Sequence, residues 1–506
     1  MMCLTRPNGQ SNLLKYTGAS VIARQLMRSR SRTLGALSLL ALPILAAGQA
    51  PPAPEHAWQI PDNAIERATA LAAHEKTAPT QRPYDLPQLI DLAERNSPET
   101  HAAWEEARAA AAAIGLAEAA YLPQLSFQAI GGFEHTPLPA PKDLVAKGYF
   151  VSDTREVLPS IALKWLLFDF GRRDAALDAA KADSFVANVA FTGAHQSLIF
   201  AVSQAYFDLS AARGRLRAAR QALTTARTTE DAAVAKRNSG LATIVSVAQA
   251  QRQSAQMRYT VAAAEAVERT ARANLIASLG ISAETELEVT DAGGLPLPKE
   301  PAQSVAVAVH QALGQRPEII AALGKIDAAE ANLKSEQRSY YPIFELSGSG
   351  FQNFGSVSSD GKPYSTINKP GGALLFSFSV PIFDGGTRRS RVSVARSKLH
   401  AAEETLAKTQ DAAAQQVVKA YNGLVSNLAE YDAATAYRDA AHTAYDAALR
   451  SYRQGVGTYT DLATEENAVV QAETQVEDTR ASAHTAAAAL AFAMGAASAP
   501  LATNTP

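Results

Sequence analysis

The sequence predicts a mainly α-helical fold with a small β part, built from duplicated strand–long-helix units. Three observations predict it. A strand-to-helix junction occurs twice, as Phe168-Asp169-Phe170-Gly171-Arg172-Arg173 and as Phe383-Asp384-Gly385-Gly386-Thr387-Arg388-Arg389. A long, proline-free, alanine-rich segment follows each copy. Within the first segment apolar residues recur with 4-3 spacing for four heptads, the pattern of helices packed as coiled coils.

The duplication is extensive. Phe168 and Phe383 lie 215 residues apart, and the offset holds through Tyr206/Tyr421, Gly240/Gly455, Thr243/Thr458 and Gly280/Gly495. Upstream the offset is 219, through Pro98/Pro317, Glu99/Glu318, Tyr121/Tyr340 and Pro123/Pro342. The four-residue difference falls between Pro123 and Phe168, so the first copy carries the longer loop there. A repeat of this length is a duplicated structural unit, not a solenoid period.

Composition narrows the class. A chain of 506 residues ordinarily holds two to four globular domains, but the repeat points to two copies of one elongated unit. Aromatic residues make up 7%, low for large compact cores, while alanine suits helices that approach one another closely. A net charge of −2 argues against a dedicated nucleic-acid binder. Cys3 is the only cysteine, so the body of the protein has no disulfide framework and no thiol chemistry.

The amino terminus predicts export. Arg24, Arg28, Arg30 and Arg32 precede the apolar run 34–47, and small residues follow it, which together read as a secretory signal over residues 1–50. Met27 is the more ordinary start, which would make residues 1–26 an upstream extension. Cys3 precedes the apolar run and is misplaced for lipid attachment. Residues 51–83 form a Pro/Ala-rich segment in which a short helix fits 64–73.

The first repeat is expected over residues 84–280. Helices are predicted at 86–95 and from Pro98 to about Tyr121, proline suiting a first helical turn. Alternation in 125–129 and 161–168 predicts two strands of about eight to ten residues, with a loop containing Pro137, Pro139, Pro141 and Gly148 between them. Asp169 and Gly171 open the long helix 172–237, Asp169 suited to its N-terminal positions and Gly171 to the turn. Its seam is Leu198, Val202, Ala205, Leu209, Ala212, Leu216, Ala219, Leu223 and Ala226. A hairpin turn at Gly240 leads to a second helix over about 243–279, with a seam through Met257, Val261, Ala264, Glu268, Ala271 and Leu275. Residues 281–304 link the copies. The second repeat, 305–495, replays the order: helices to Tyr341, strand 344–350, a Gly/Ser/Asn loop and strand 373–382. The junction at Asp384 and Gly386 then opens a long helix 387–454, which turns at Gly455 and Gly457 into a last helix to Met494. Residues 496–506 read as a disordered tail. Since the two shorter helices of each copy nearly match the long one, stacked end to end they would lie alongside it.

On the strand 374–380, Leu374, Phe376, Phe378 and Val380 share one face, with Leu375, Ser377 and Ser379 on the other. That is the apolar-out, polar-in pattern of a water-filled membrane barrel. Four strands cannot close such a barrel, and open edges cannot face lipid, so copies of the chain must associate if the sheet enters a membrane. A soluble sheet capping a coiled coil is the other reading.

Taken together these features resemble the TolC-like outer-membrane efflux proteins, over about 84–495. The resemblance rests on 378–386 (FSVPIFDGG), the weaker copy at 165–171 and the hairpin 452–458 (YRQGVGT). It implies a homotrimer whose twelve strands form one outer-membrane β-barrel continuing into a periplasmic α-helical coiled-coil barrel. It also implies docking on an inner-membrane transporter of RND, ABC or MFS type through a periplasmic adaptor, in efflux or type I secretion, with no cofactor. In the family the periplasmic end is held closed by hydrogen bonds and ion pairs, with acidic side chains at the constriction. The Gly-x-Gly-Thr turn places Asp461 on one such position and Tyr452 on a tyrosine of the closing network. The second family acid would fall at Thr464, a departure, with Glu465 and Glu466 beside it as substitutes. The alternative for Asp461 is a solvated carboxylate at a helix N-terminus.

No enzyme is expected. The nine histidines are scattered, without a metal-binding spacing such as His-Glu-x-x-His, and Gly348-Ser349-Gly350 precedes no helix. A structural or adaptor-like periplasmic coiled-coil protein is the rival from another class, but an adaptor would carry one hairpin beside a β-domain.

Overall fold

The computed structural model describes residues 83–497 together with Ala64, Glu66 and Arg67, which are helical. The expected secretory signal, most of the Pro/Ala-rich segment and residues 498–506 lie outside the described residues.

The chain from Tyr84 onward opens with α1 (Leu86–Asn96) and α2 (Pro98–Ala119). Asp85 and Gln88 form a reciprocal capping box on α1, while Ser97 accepts from the Thr100 N–H ahead of Pro98 in α2. A β-hairpin follows, β1 (Gln124–Pro139) and β2 (Tyr149–Phe168), then the hairpin of α3 (Arg172–Asn238) and α4 (Ile244–Ser278). The second copy repeats the order as α5 (Val305–Gln315), α6 (Pro317–Arg338), β3 (Ile343–Ser359), β4 (Ser365–Ser379), α7 (Thr387–Gln454) and α8 (Tyr459–Ala493). Between the copies, residues 281–304 are packed: Leu287, Val289 and Ala292 are buried, and Tyr84 makes a parallel bridge to Val289.

At 67 residues α3 is about 100 Å long, and only neighbours can support such a helix. Helices α1, α2 and α4 lie on α3, α5 and α8 lie on α7, and α6 and α8 each touch both long helices. The expected seam is where the burial falls: Leu198, Val202, Ala205, Leu209, Ala212, Leu216, Ala219 and Ala226 are buried, and Leu223 is partly so. End-to-end stacking of the short helices is visible at the repeat-related glycines. Gly280, with φ +65°, ends α4 so close to the start of α2 that a Cβ would stand 2.8 Å from the Asn96 carbonyl oxygen. Gly495, with φ +76°, repeats this against Gln315 and Arg316, where a Cβ would meet backbone at 3.0 Å. Only glycine combines the left-handed backbone with that approach.

The junctions are duplicated in three dimensions. Gly171 and Gly386 cap α3 and α7 in left-handed geometry, so the glycines themselves, not the aspartates, hold the N-cap positions. Asp169 and Asp384 reach in from two residues earlier and accept the Arg173 and Arg388 N–H groups, each at 3.0 Å. The same two arginines staple strand end to helix. The Arg173 guanidinium donates to the Leu166, Leu167 and Ala120 carbonyls and lies over Tyr121. That of Arg388 donates to Asp384 and Pro381 and lies over Tyr340.

The four strands form one antiparallel sheet in the order β1-β2-β3-β4. Its register sets Leu125 and Phe127, Ile161, Leu163 and Trp165, Leu346, and Leu374, Phe376 and Phe378 on one face. Ser126, Gln128, Lys164, Glu345, Ser347 and Ser377 occupy the other. An apolar face therefore runs across every strand, backed by a polar one.

Strand lengths correct the sequence-based expectation: they are 16, 20, 17 and 15 residues, not eight to ten. Beyond the apolar stretch polar and charged residues enter both faces, among them His135, Asp153, Arg155, Glu156, Asn353 and Lys369, so alternation fades while the backbone ladder continues. Pro137 and Pro139, expected in a loop, sit in β1, an edge strand that tolerates a missing donor. In the interior β2–β3 ladder, pairing skips from Val157 to Ser160 across Pro159. Strand β4 ends at Ser379, short of the expected Ile382, because Pro381 cannot extend it. The hairpin connections, 140–148 and 360–364, account for the four-residue difference between the repeats. Residues 496 and 497, expected to start a disordered tail, are packed: the Ala496 N–H donates to the Ala491 carbonyl at 2.9 Å, and Ala497 is buried.

Candidate functional site at the hairpin tips

The two helical hairpins turn at one end of the coiled coil, opposite the sheet. Each turn uses a left-handed glycine, Gly240 with φ +76° and Gly455 with φ +81°. Gly457 has an ordinary φ but no room, since a Cβ there would meet Ser451 Cβ at 3.0 Å and the Tyr452 nitrogen at 3.1 Å. The descending helices are capped alike: Thr243 accepts from the Ser246 N–H and Thr458 from the Asp461 N–H.

Asp461 completes a capping box. Its carboxylate accepts from the Thr458 hydroxyl at 2.7 Å and the Thr458 N–H at 3.2 Å, and these bonds hold it below the usual carboxylate range. The side chain is fully exposed and ionised at neutral pH. Its counterpart in the first hairpin is Ser246, so each chain supplies one such charge and not two. Glu465 is half-buried one turn along α8. Thr464 donates its hydroxyl back to the Thr460 carbonyl and offers no charge. Glu466 does not replace the missing acid. It is 3% exposed and turned into the protein, whereas a constriction acid must face water.

Tyr452 lies at the contact between the hairpins. It packs with Tyr459, rings 6.1 Å apart and edge-to-face, in a cluster with Ala233, Val247, Ala250, Leu462 and Ala463 from α3, α4 and α8. Lys236, at the end of α3, donates from Nζ to the Tyr452 carbonyl at 3.0 Å and stands 4.1 Å above the Tyr452 ring. Burial raises the Tyr452 phenol, and the two contacts from Lys236 use the carbonyl and the ring, not that hydroxyl. A second tie, Gln253 Nε2 to Asn467 Oδ1 at 2.8 Å, joins α4 to α8. At the very end, apolar side chains face solvent: Leu241, Ile244 and Val245 from the first turn, and Val456 from the second, 79% exposed. Lys236 and this apolar tip were not singled out from sequence. The signal that could have found them is the repeat, since these positions flank the paired turn glycines.

A profile of the family described as Outer membrane efflux protein matches residues 89–281 and 308–496, one stretch in each repeat. The chain belongs to that family. Among relatives of this outer membrane efflux protein, Protein CyaE of Bordetella pertussis is 28% identical over 423 residues, covering 84% of this chain and 83% of that one. Outer membrane protein OprJ of Pseudomonas aeruginosa is 25% identical over 385 residues, with 74% and 76% covered. The crystal structure of a membrane protein from Pseudomonas aeruginosa superposes with a TM-score of 0.68 at 24% identity, covering 81% of this chain and 93% of that one. As an outer membrane efflux protein, the chain is an outer-membrane duct component: its sheet lies in the outer membrane and its long helices extend into the periplasm.

Proposed function

We propose that three copies assemble into a closed twelve-stranded barrel above a helical tunnel, a passive exit duct gated at its periplasmic tips. The observation that carries this is the sheet: four amphipathic strands with an apolar face that crosses all of them, a polar reverse and two edges, β1 and β4, that pair with no further strand among the described residues. Such edges cannot face lipid, and pairing with copies of the chain satisfies them without any other component. The polar face then lines water and the apolar face meets outer-membrane lipid. Aromatics gather where helices meet strands, Phe170 stacking on Tyr341 at 5.6 Å and touching Phe168 and Phe344, as expected of a membrane–water boundary.

The exposed apolar tip is the docking surface for a periplasmic adaptor, which couples the duct to an inner-membrane transporter. The chain does no chemistry of its own. Gating is assigned to the Lys236–Tyr452 contact, and the aperture charge to Asp461 with Glu465. Three Asp461 carboxylates drawn toward one axis favour cations over anions. The test is single-channel current of the reconstituted full-length protein. Wild type passes current that divalent cations block, and Asp461→Ala, alone or with Glu465→Ala, weakens the block. Unaltered block removes Asp461 from the constriction, and absence of any current removes the duct.

A further inference from the structure

Glu466 is a carboxylic acid in the wrong place for a channel-lining charge. It sits on α8 two turns from the hairpin, 3% exposed, and both carboxyl oxygens are buried without a hydrogen-bond partner. No ion pair reaches it among the described residues. It lies close enough to Tyr445 of α7 and Tyr459 of its own helix for its charge to bear on both, and one turn from Leu462 and Ala463, which pack with Ala233 of α3 and Val247 and Ala250 of α4 in the layer that holds the two hairpins together. The Tyr459 hydroxyl, on the same helix, is also buried and unpartnered. A carboxylate with neither partner nor water is costly, whereas a neutral carboxyl of the same shape is tolerated.

We propose that Glu466 is a proton-operated latch on the periplasmic tip: protonated, it keeps α8 seated against α3, α4 and α7, and on losing its proton to water it drives the tip toward the parted, open arrangement. The proposal rests on the gated-duct reading above.

The charges facing this layer do not relieve the acid. From α7 come Tyr445, Asp446, Tyr452 and Arg453, from α3 Glu230 and Lys236, from α4 Arg252, and from α8 Tyr459, while Asp461 stays exposed at the turn and Glu465 is half-buried. Lys236 is committed to Tyr452, while Arg453 and Arg252 bear on the tyrosines. Burial pushes the Glu466 carboxyl up to about 7, and its charge in turn raises both Tyr445 and Tyr459 after their own burial. The seated tip holds the proton to about pH 7, and the parted tip releases it in the ordinary carboxyl range. Rising pH therefore favours parting until about pH 7, beyond which the effect levels off. With those two affinities the parted-to-seated ratio rises about 30-fold between about pH 5.5 and pH 8.5.

The test compares wild type with Glu466→Gln, which keeps the shape and hydrogen-bonding groups of the protonated acid. The open-to-closed ratio of the full-length protein in a planar lipid membrane should rise at least about 30-fold in wild type as the tip-side pH goes from about 5.5 to about 8.5, with one such factor for each chain whose tip must part. Glu466→Gln should stay at its acid level throughout. A pH curve shared by the two proteins, or a flat wild-type curve, overturns the latch. Trypsin cleavage at Lys236, Arg237 and Arg453 in detergent reads tip loosening without current. The wild-type-to-variant rate ratio should climb over the same range, and a constant ratio again overturns the proposal. A protein that carries no current but shows the climbing ratio keeps the latch and overturns the duct.

Discussion

Lys236→Met tests whether the contact between hairpins holds the duct shut. The substitution keeps an apolar stem and removes the ammonium that bridges the end of α3 to the end of α7. Two interactions are lost: a charge-assisted hydrogen bond to the Tyr452 carbonyl at 3.0 Å and a cation–π contact at 4.1 Å. A hydrogen bond from a charged donor contributes roughly 1.5–3 kcal/mol and a cation–π contact roughly 0.5–2 kcal/mol. Lys236 is half-buried, so solvent screening brings each toward its lower end, for a total of about 2 kcal/mol. If closure depends on this contact, the open-to-closed ratio rises about 30-fold for each chain whose tip must part, since each 1.4 kcal/mol is about a factor of ten. The assay is open probability in planar lipid membranes with Tyr452→Phe as the control. That control keeps the ring and carbonyl that Lys236 uses, and its occupancy should stay within about twofold of wild type. A Lys236→Met channel that opens no more often than wild type refutes the reasoning. So does a Tyr452→Phe channel that opens as readily as Lys236→Met, because the hydroxyl would then be the gate.

The other expectations concern the scaffold. Gly280→Ala combines a left-handed φ with a Cβ 2.8 Å from the Asn96 carbonyl oxygen, whereas Gly240→Ala has a similar φ and open space. The first should destabilise by about 3 kcal/mol and the second by about 1 kcal/mol, so helix melting followed by circular dichroism should drop at least twice as far for Gly280→Ala. Equal drops would mean that α2 and α4 do not abut. His484 is buried against Phe207, rings stacked at 4.8 Å, and burial lowers its pKa to about 4 from 6.5. The unfolded chain therefore takes up a proton before the native one, and the stability that neutral His484 retains above pH 6.5 is lost as pH falls toward 4. Melting of His484→Phe between those limits should fall less steeply than that of wild type, and parallel slopes would count against the buried neutral histidine.

Helices were legible because their signals are local and repeat. The alanine-rich heptads marked the seam residue by residue, and the bounds expected for the second long helix, 387–454, are those of α7, where Gly386 and Gly455 stop the helix sharply. Thr243 and Thr458 are caps that the turn chemistry predicts. Strand lengths were not legible, because alternation reports a difference between two environments and vanishes where both faces are wet, as around His135 and Asp153. The tip was half legible. Gly240, Gly455, Gly457 and Asp461 announce a capped turn, but whether Glu465 and Glu466 face water depends on which side of α8 packs, and adjacent residues on a helix point about 100° apart. Sequence placed both beside Thr464 as substitutes, while the structure buries Glu466. Arg173 and Arg388 stood in the motif as mere basic residues. Their role as staples appears only once the carbonyls of the strand ends and the rings of Tyr121 and Tyr340 converge on them.

The most direct test of the account is the native mass of the full-length protein extracted from outer membranes in mild detergent. A sheet with two open edges and one continuous apolar face requires more than one chain, and the proposed twelve-stranded barrel makes the particle three chains with no other protein in it. A stable single chain in that extract would mean that the edges of β1 and β4 need no partner, and the duct would have no wall.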